Sequence, residues 1–210
     1  MKNFYIIANE DKQNTSWTVK RMVEYLSLKG ASCKVHESRE EEEGRRPEAG
    51  FKYTDPADVP ARTECVITLG GDGTLIQAAR DLAGLDIPIL GINLGTLGYL
   101  TQGTRQDVPE ILETLLTDHY TLEKRLMLKG RMESVDGKAF EAIALNEIVV
   151  TRKDSMKVAK LSISVNGRFF SSYTANGVIL STPTGSTAYN LSAGGPIAAP
   201  HSRIMILTSI

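Results

Sequence analysis

The stretch CVITLGGDGTLIQAAR, Cys65 to Arg80, limits the possible folds more than any other part of the chain. Its first five residues are apolar or β-branched, as a strand buried on both faces requires. Three glycines then interrupt it around a single carboxylate, Asp72, and TLIQAAR resumes with helix-forming residues. A strand, a glycine turn and a helix in succession form the first part of a βαβ unit. Such a unit needs a parallel partner strand and helices on both faces of the sheet.

The same alternation runs through the first 120 residues. FYIIAN reads as a short buried strand, and TSWTVKRMVEYLSLKG follows with Val19, Met22, Val23 and Leu26 at helical spacing and Gly30 as its stop. ASCKVHE is a second strand, Thr74 to Ala83 a second helix, and IPILGIN another strand. DVPEILETLLTDHY places Val108, Ile111, Leu112, Leu115 and Leu116 on one side of a third helix. Between the second and third strands, SREEEEGRRPEAGFKYTDPADVP loses periodicity and gains charge, Gly and Pro, which predicts a surface loop. The run Glu40 to Glu43 is a solvated loop face rather than a metal site, because nothing holds those carboxylates convergent.

After Tyr120 the texture changes to short β-branched segments punctuated by VDGK and VNGR, pairs that tolerate the positive φ of tight hairpins. The reading is therefore an α/β Rossmann-like domain over residues 1–121 and an antiparallel β-rich domain over 122–210. RIMILTSI stops in mid-strand, so the second domain is expected to be C-terminally incomplete, with RIMILTSI and VILSTP leaving an unpaired edge.

Composition excludes several classes. A chain of 210 residues, 41% hydrophobic and of net charge −1, can bury a core but carries no basic footprint for nucleic acid. No window is apolar for long enough to span a membrane, and MKNFYIIANE is too soon acidic for a signal peptide, so a cytoplasmic location is expected. Cys33 and Cys65 are too few for a disulfide scaffold and read as core thiols.

GGDG is placed at the carboxyl edge of a parallel sheet, where open α/β sheets bind ligands and glycines let backbone N–H groups approach phosphate. A phosphate cradle alone does not call for an anion. Asp72 is thus read as accepting a proton from an attacking hydroxyl, as helping to hold magnesium, or as capping the helix. LGINLGTLGYL ends the next strand in another glycine turn, and LNEIVV sets Asn146 and Glu147 in an otherwise apolar strand, where they need partners. STPTGSTAYNLSAGGPI is dense in hydroxyls and glycines around one aromatic, Tyr189, which suits hydrogen bonding to a base edge with a ring against its face.

In this order and spacing GGDGT, GINLGTLGYL, NE and NGVILSTPTGSTAYNLSAGGPI resemble bacterial NAD kinases, which phosphorylate NAD on its adenosine ribose to give NADP. The GGDG turn alone is shared with lipid kinases and sugar kinases; the long hydroxyl and glycine segment is the specific part. The resemblance implies that Asp72 is the general base for the ribose 2′-hydroxyl and that Gly71, Gly73 and Thr74 form the phosphate-facing turn. It implies that Asn146 and Glu147 hold the adenosine part of NAD, and that Thr187, Ala188 and Tyr189 surround the adenine. Ser192, Lys157 and Asn93 match further nucleotide contacts, and Tyr99 a lining aromatic. Asn176 stands where many members have aspartate, which keeps hydrogen bonding and drops a charge. ATP or polyphosphate with Mg2+ would donate the phosphoryl group, and a homo-oligomer, dimer or tetramer, is expected. A lipid or sugar kinase and a catalytically impaired nucleotide-binding fragment are the alternatives.

Overall fold

The computed structural model describes residues 1–9, 15–36, 53–95, 98–153 and 157–210. The run Glu40 to Glu43 and most of the expected charged loop lie outside the described residues. The chain divides into two compact units, Met1–Leu122 and Glu123–Ile210.

In the first unit the chain passes through β1 (Asn3–Ala8), α1 (Thr15–Leu28), β2 (Ser32–Val35), β3 (Cys65–Gly70), α2 (Asp72–Asp81), β4 (Ile89–Asn93), β5 (Gly103–Thr104) and α3 (Val108–Leu116). All five strands are parallel, in the order β2-β1-β3-β4-β5. Alternation along the strands sends Phe4, Ile6, Cys65, Ile67 and Leu69 to one face, against Met22 and Leu26 of α1 and Leu112 and Leu115 of α3. Tyr5, Ile7 and Val66 go to the other face, against Ala78 of α2 and Leu82 just after it. All six residues of β3 are buried, which is why its sequence lacks a polar alternation. Each fully buried aliphatic side chain here contributes about 1.5–3 kcal/mol.

This topology fixes where a ligand can sit. β1 leads through α1 to β2 on one side, while β3 leads through α2 to β4 on the other. The strand order therefore reverses between β1 and β3, and ligands of open α/β sheets bind beyond the carboxyl ends of the strands at such a point. Those ends are joined by Asn9, whose N–H donates to the carbonyl of Leu69 at 2.9 Å.

Two helices differ from the sequence reading in their limits. α2 begins two residues earlier than Thr74, with Gly71 as its extended N-cap residue, so Asp72 stands inside the first turn. α3 ends at Leu116 rather than near Tyr120, because Asp118 turns to φ 57° and the His119 N–H closes on the carbonyl of Thr114. Neither cysteine is bonded to the other. Burial pushes the Cys33 thiol up to about 11 and that of Cys65 up to about 12, so both are protonated and inert near neutral pH.

The second unit contains β6 (Leu128–Glu133), β7 (Ala139–Ala144), β8 (Glu147–Thr151), β9 (Ala159–Val165), β10 (Arg168–Ala175), β11 (Gly177–Ser181), α4 (Tyr189–Ser192) and β12 (Ile206–Ser209). β6–β7 and β9–β10 are antiparallel hairpins. The first turns at Gly137 (φ 81°), the second at Asn166 (φ 51°) and Gly167 (φ 77°), as VDGK and VNGR predict. A third antiparallel sheet has the order β12-β11-β8.

Two expectations are corrected here. LNEIVV is not strand throughout: β7 ends at Ala144 and β8 starts only at Glu147, in a different sheet, so Asn146 stands in the bend between them. At the break Thr182 bonds both carbonyls of the bend, that of Leu145 through its hydroxyl at 2.6 Å and that of Asn146 through its N–H at 2.8 Å. VILSTP is not an edge either, since β11 is the central strand, paired on both sides.

Candidate active site

In the first unit Asp72 sits beyond the carboxyl end of β3, half-buried, at the N-terminal turn of α2, where the helix dipole favours a negative charge. It does not cap that helix. Its carboxylate reaches across to the turn after β4, accepting the Tyr99 N–H at 2.8 Å and the Leu100 N–H at 3.1 Å. Gly98 lies against the same carboxylate, and a Cβ there would overlap it. The GGDG and LGYL turns are thus one unit, closed through Asp72.

The glycines around Asp72 divide by physical role. A Cβ on Gly70 would overlap the Thr74 hydroxyl, so Gly70 is required for packing. Gly71 and Gly73 face open space, with nothing within 4 Å of where a Cβ would be, which leaves their backbone accessible to a ligand. Asn93, at the carboxyl end of β4, is buried and accepts the Gly95 N–H at 2.7 Å, so it shapes the turn. Tyr99 is 79% exposed, held by its backbone while its ring is free of the core.

A magnesium ion can be tested against these residues. Among the described residues no three His, Cys, Asp or Glu side chains converge to form a cage. Magnesium accompanying a phosphoryl donor needs only one or two carboxylates, with phosphate oxygens and water completing its shell. The set present fits a metal delivered on the donor's phosphates, with Asp72 as the carboxylate at hand.

In the second unit the bend between β7 and β8 presents Asn146 and Glu147. Asn146 Oδ1 and Glu147 Oε2 are buried and have no hydrogen-bond partner among the described residues. Desolvation raises the Glu147 carboxyl above its ordinary range. Opposite the bend, Gly185 packs so closely on the backbone of Asn146 that a Cβ would overlap it. This brings the 3-10 turn Gly185–Thr187, and with it Ala188 and Tyr189, beside the acceptor pair. Tyr189 is 45% exposed, Thr187 and Ala188 are half-buried, and Ser192 is exposed on α4.

Most hydroxyls of STPTGST face inward instead of toward a base. Ser181, Thr182 and Ser186 are fully buried and bonded to backbone carbonyls of their own unit. Asn190, which the sequence reading passed over, is equally buried. Its amide donates to the carbonyls of Ser186 and Pro196 and accepts the Thr208 hydroxyl at 2.7 Å. A polar residue between Tyr189 and Leu191 was the signal for it.

Lys157 and Asn176 are not gathered with this group. Both are exposed, and their carbonyls accept from Arg152, one from its side chain and one from its N–H. Arg152 follows the last residue of β8, whereas Glu147 is its first. At about 3.3 Å per residue the two ends are roughly 16 Å apart.

With this geometry established, family models for the ATP-NAD kinase N-terminal and C-terminal domains match residues 4–120 and 145–210. The chain belongs to the NAD kinase family. It is 43% identical over 210 residues to an NAD kinase of Lachnospira eligens, covering 100% of this chain and 70% of that one. It is 41% identical over 212 residues to an NAD kinase of Lachnoclostridium phytofermentans, covering 100% and 72%. Among solved structures, yeast NADH kinase complexed with NADH superposes with a TM-score of 0.82 at 27% identity, covering 100% of this chain and 66% of that one. An NAD kinase from Archaeoglobus fulgidus in complex with ATP has a TM-score of 0.74 at 24% identity, over 99% and 72%, and shares the fold. The α/β unit followed by an antiparallel β-rich unit is the architecture of these NAD kinase structures.

Proposed function

We propose that this chain transfers a phosphoryl group from ATP, or from polyphosphate, to the 2′-hydroxyl of the adenosine ribose of NAD, giving NADP. The observation that carries this reading is the pair of buried acceptors, Asn146 Oδ1 and Glu147 Oε2, that find no donor among the described residues. A buried acceptor left unpaired costs about 1–3 kcal/mol. Ribose hydroxyls supply the missing donors, and the carboxylate of Glu147 grips them.

Asp72 is the general base. As the 2′-oxygen attacks phosphorus, its O–H bond breaks and the proton passes to an Asp72 oxygen, while the phosphorus–oxygen bond to ADP breaks and ADP leaves with the electron pair. The N–H groups of Tyr99 and Leu100 occupy only two of a carboxylate's roughly four acceptor positions, so the proton has a place to go. The exposed backbone of Gly71 and Gly73, with Thr74 and the start of α2, faces the donor's phosphates. Magnesium held on those phosphates would supply neutralisation of the charge that develops in the transfer. Thr187, Ala188, Tyr189 and Ser192 surround the adenine, Asn93 shapes and Tyr99 lines the phosphate side, and Lys157 and Asn176 serve a part of the dinucleotide remote from Glu147. The enzyme acts in the cytoplasm and as a homo-oligomer; the exposed rings of Phe169 and Phe170 on β10 are the kind of surface association covers.

Incubation with NAD, ATP and magnesium, followed by assay for NADP with an NADP-specific dehydrogenase, tests the reading. NADH and polyphosphate in parallel reactions define acceptor and donor. Absence of NADP overturns the proposed activity, and NAD binding without turnover would leave a nucleotide-binding protein.

A further inference from the structure

We propose that Thr182 is a positioning residue that sets the spacing between the two halves of the adenosine site; this rests on the reading of Asn146, Glu147 and Thr187–Tyr189 as that site. Thr182 is fully buried and follows directly on β11. Its N–H donates to the carbonyl of Asn146 at 2.8 Å, and its hydroxyl donates to the carbonyl of Leu145 at 2.6 Å. The same hydroxyl oxygen accepts the Gly185 N–H at 3.0 Å. One side chain therefore joins the bend that aims Asn146 and Glu147 to the turn that carries Thr187, Ala188 and Tyr189.

The chemistry of this link is specific to a hydroxyl. It must donate and accept at once, which valine cannot do at all and which a thiol does weakly. Gly185 completes the arrangement, since only a residue without Cβ lets the turn lie on the Asn146 backbone while its N–H reaches Thr182. Two short bonds on one oxygen leave the bend and the turn little freedom to separate. An acceptor pair and an adenine-facing turn held at fixed spacing bind a rigid adenosine without ordering cost. Released from each other, both still exist but no longer match one ligand.

The test measures NAD affinity by calorimetry, kcat and KM for NAD, and thermal unfolding for the parent chain and for Thr182→Val, Thr182→Ser and Thr182→Cys. Thr182→Val is expected to raise the Kd and KM for NAD by about tenfold or more, with kcat changed by no more than about threefold. Thr182→Ser keeps both bonds and is expected to bind NAD within about twofold of the parent, with Thr182→Cys between. If Thr182→Val does not fold, the cysteine and serine variants decide: cysteine binding NAD as tightly as serine overturns the proposal. It is equally overturned if Thr182→Val melts at lower temperature yet binds NAD like the parent, which is the signature of a structural role alone. A parent chain that binds no NAD would instead sink the proposed function.

Discussion

Gly98 lies flat against the carboxylate of Asp72, so close that a side chain at 98 and the carboxylate cannot share the space. The contact joins the turn after β3 to the turn after β4 and requires glycine at 98. A methyl group there must push either the carboxylate or the backbone N–H groups of Tyr99 and Leu100 away. Overpacking of this kind costs about 1–3 kcal/mol, and a displacement near 1 Å at a reacting group costs on the order of a hundredfold in rate. Gly98→Ala is accordingly expected to lower kcat by about tenfold to a hundredfold with a smaller loss of thermal stability. Steady-state kinetics beside a melting curve would show it, and an unchanged kcat would mean that this contact does not position the base.

Asp72→Asn is expected to cut turnover by about a hundredfold or more while NAD affinity stays within a few fold. The amide can accept one of the two N–H groups, but its own NH2 then faces the other, so one of the bonds at 2.8 and 3.1 Å is lost as well. A modest drop in melting temperature should therefore accompany the loss of rate. Single-turnover measurements at saturating NAD separate the two effects, and a variant that turns over at the parent rate would remove Asp72 from the chemistry.

Glu147 carries a desolvation cost in the free protein, which NAD bound as proposed would relieve. Desolvation holds its carboxyl above the ordinary value, so between that value and the raised one the folded chain binds more protons than the unfolded chain. Its contribution to stability therefore falls as pH rises through this window and is least favourable at neutral pH. Glu147→Gln is expected to leave the unliganded protein as stable as the parent or slightly more so at pH 7, with the difference vanishing below about pH 4. Glu147→Ala should weaken NAD binding by about 2–4 kcal/mol, because two ribose hydroxyls lose a charged acceptor. Melting curves from pH 4 to 8 and NAD calorimetry give the two readouts. Loss of stability without loss of affinity would make the residue structural.

The parallel half of the fold was legible because its signal is local. Cys65–Leu69 is buried on both faces, and the helical stripe of Met22 and Leu26 meets the sheet where its periodicity points. Asp72 stood out as a charge among glycines. Its tie to Tyr99 and Leu100 did not, since backbone donors 27 and 28 residues away leave no mark on side-chain pattern. The bend that sets Asn146 outside the strand of LNEIVV was hidden for the same reason: its carbonyls are bonded by a residue 36 or 37 positions away, Thr182. The inward turn of the hydroxyls in STPTGST leaves no mark either, since a buried hydroxyl bonded to a carbonyl and an exposed one bonded to a base look alike in sequence.

Asn190 and Thr208 supply the last case of a buried polar tie, and here stability, not chemistry, is at stake. The Asn190 amide uses both donors, to the carbonyls of Ser186 and Pro196, and its oxygen accepts the hydroxyl of Thr208 on β12. Gly195 leaves no room for a Cβ beside it, so the pocket is shaped to this side chain. Asn190→Ala leaves two carbonyls and one hydroxyl without this partner, and a loss of about 1–3 kcal/mol of unfolding free energy follows. Thr208→Val removes only one bond and should cost about 1 kcal/mol, because the amide oxygen alone is left unpaired. In the double variant the losses should fall short of their sum, since the first substitution has already removed the shared bond. Urea unfolding of the four proteins measures the coupling. Strict additivity would show that the Thr208 hydroxyl and the Asn190 amide do not depend on each other.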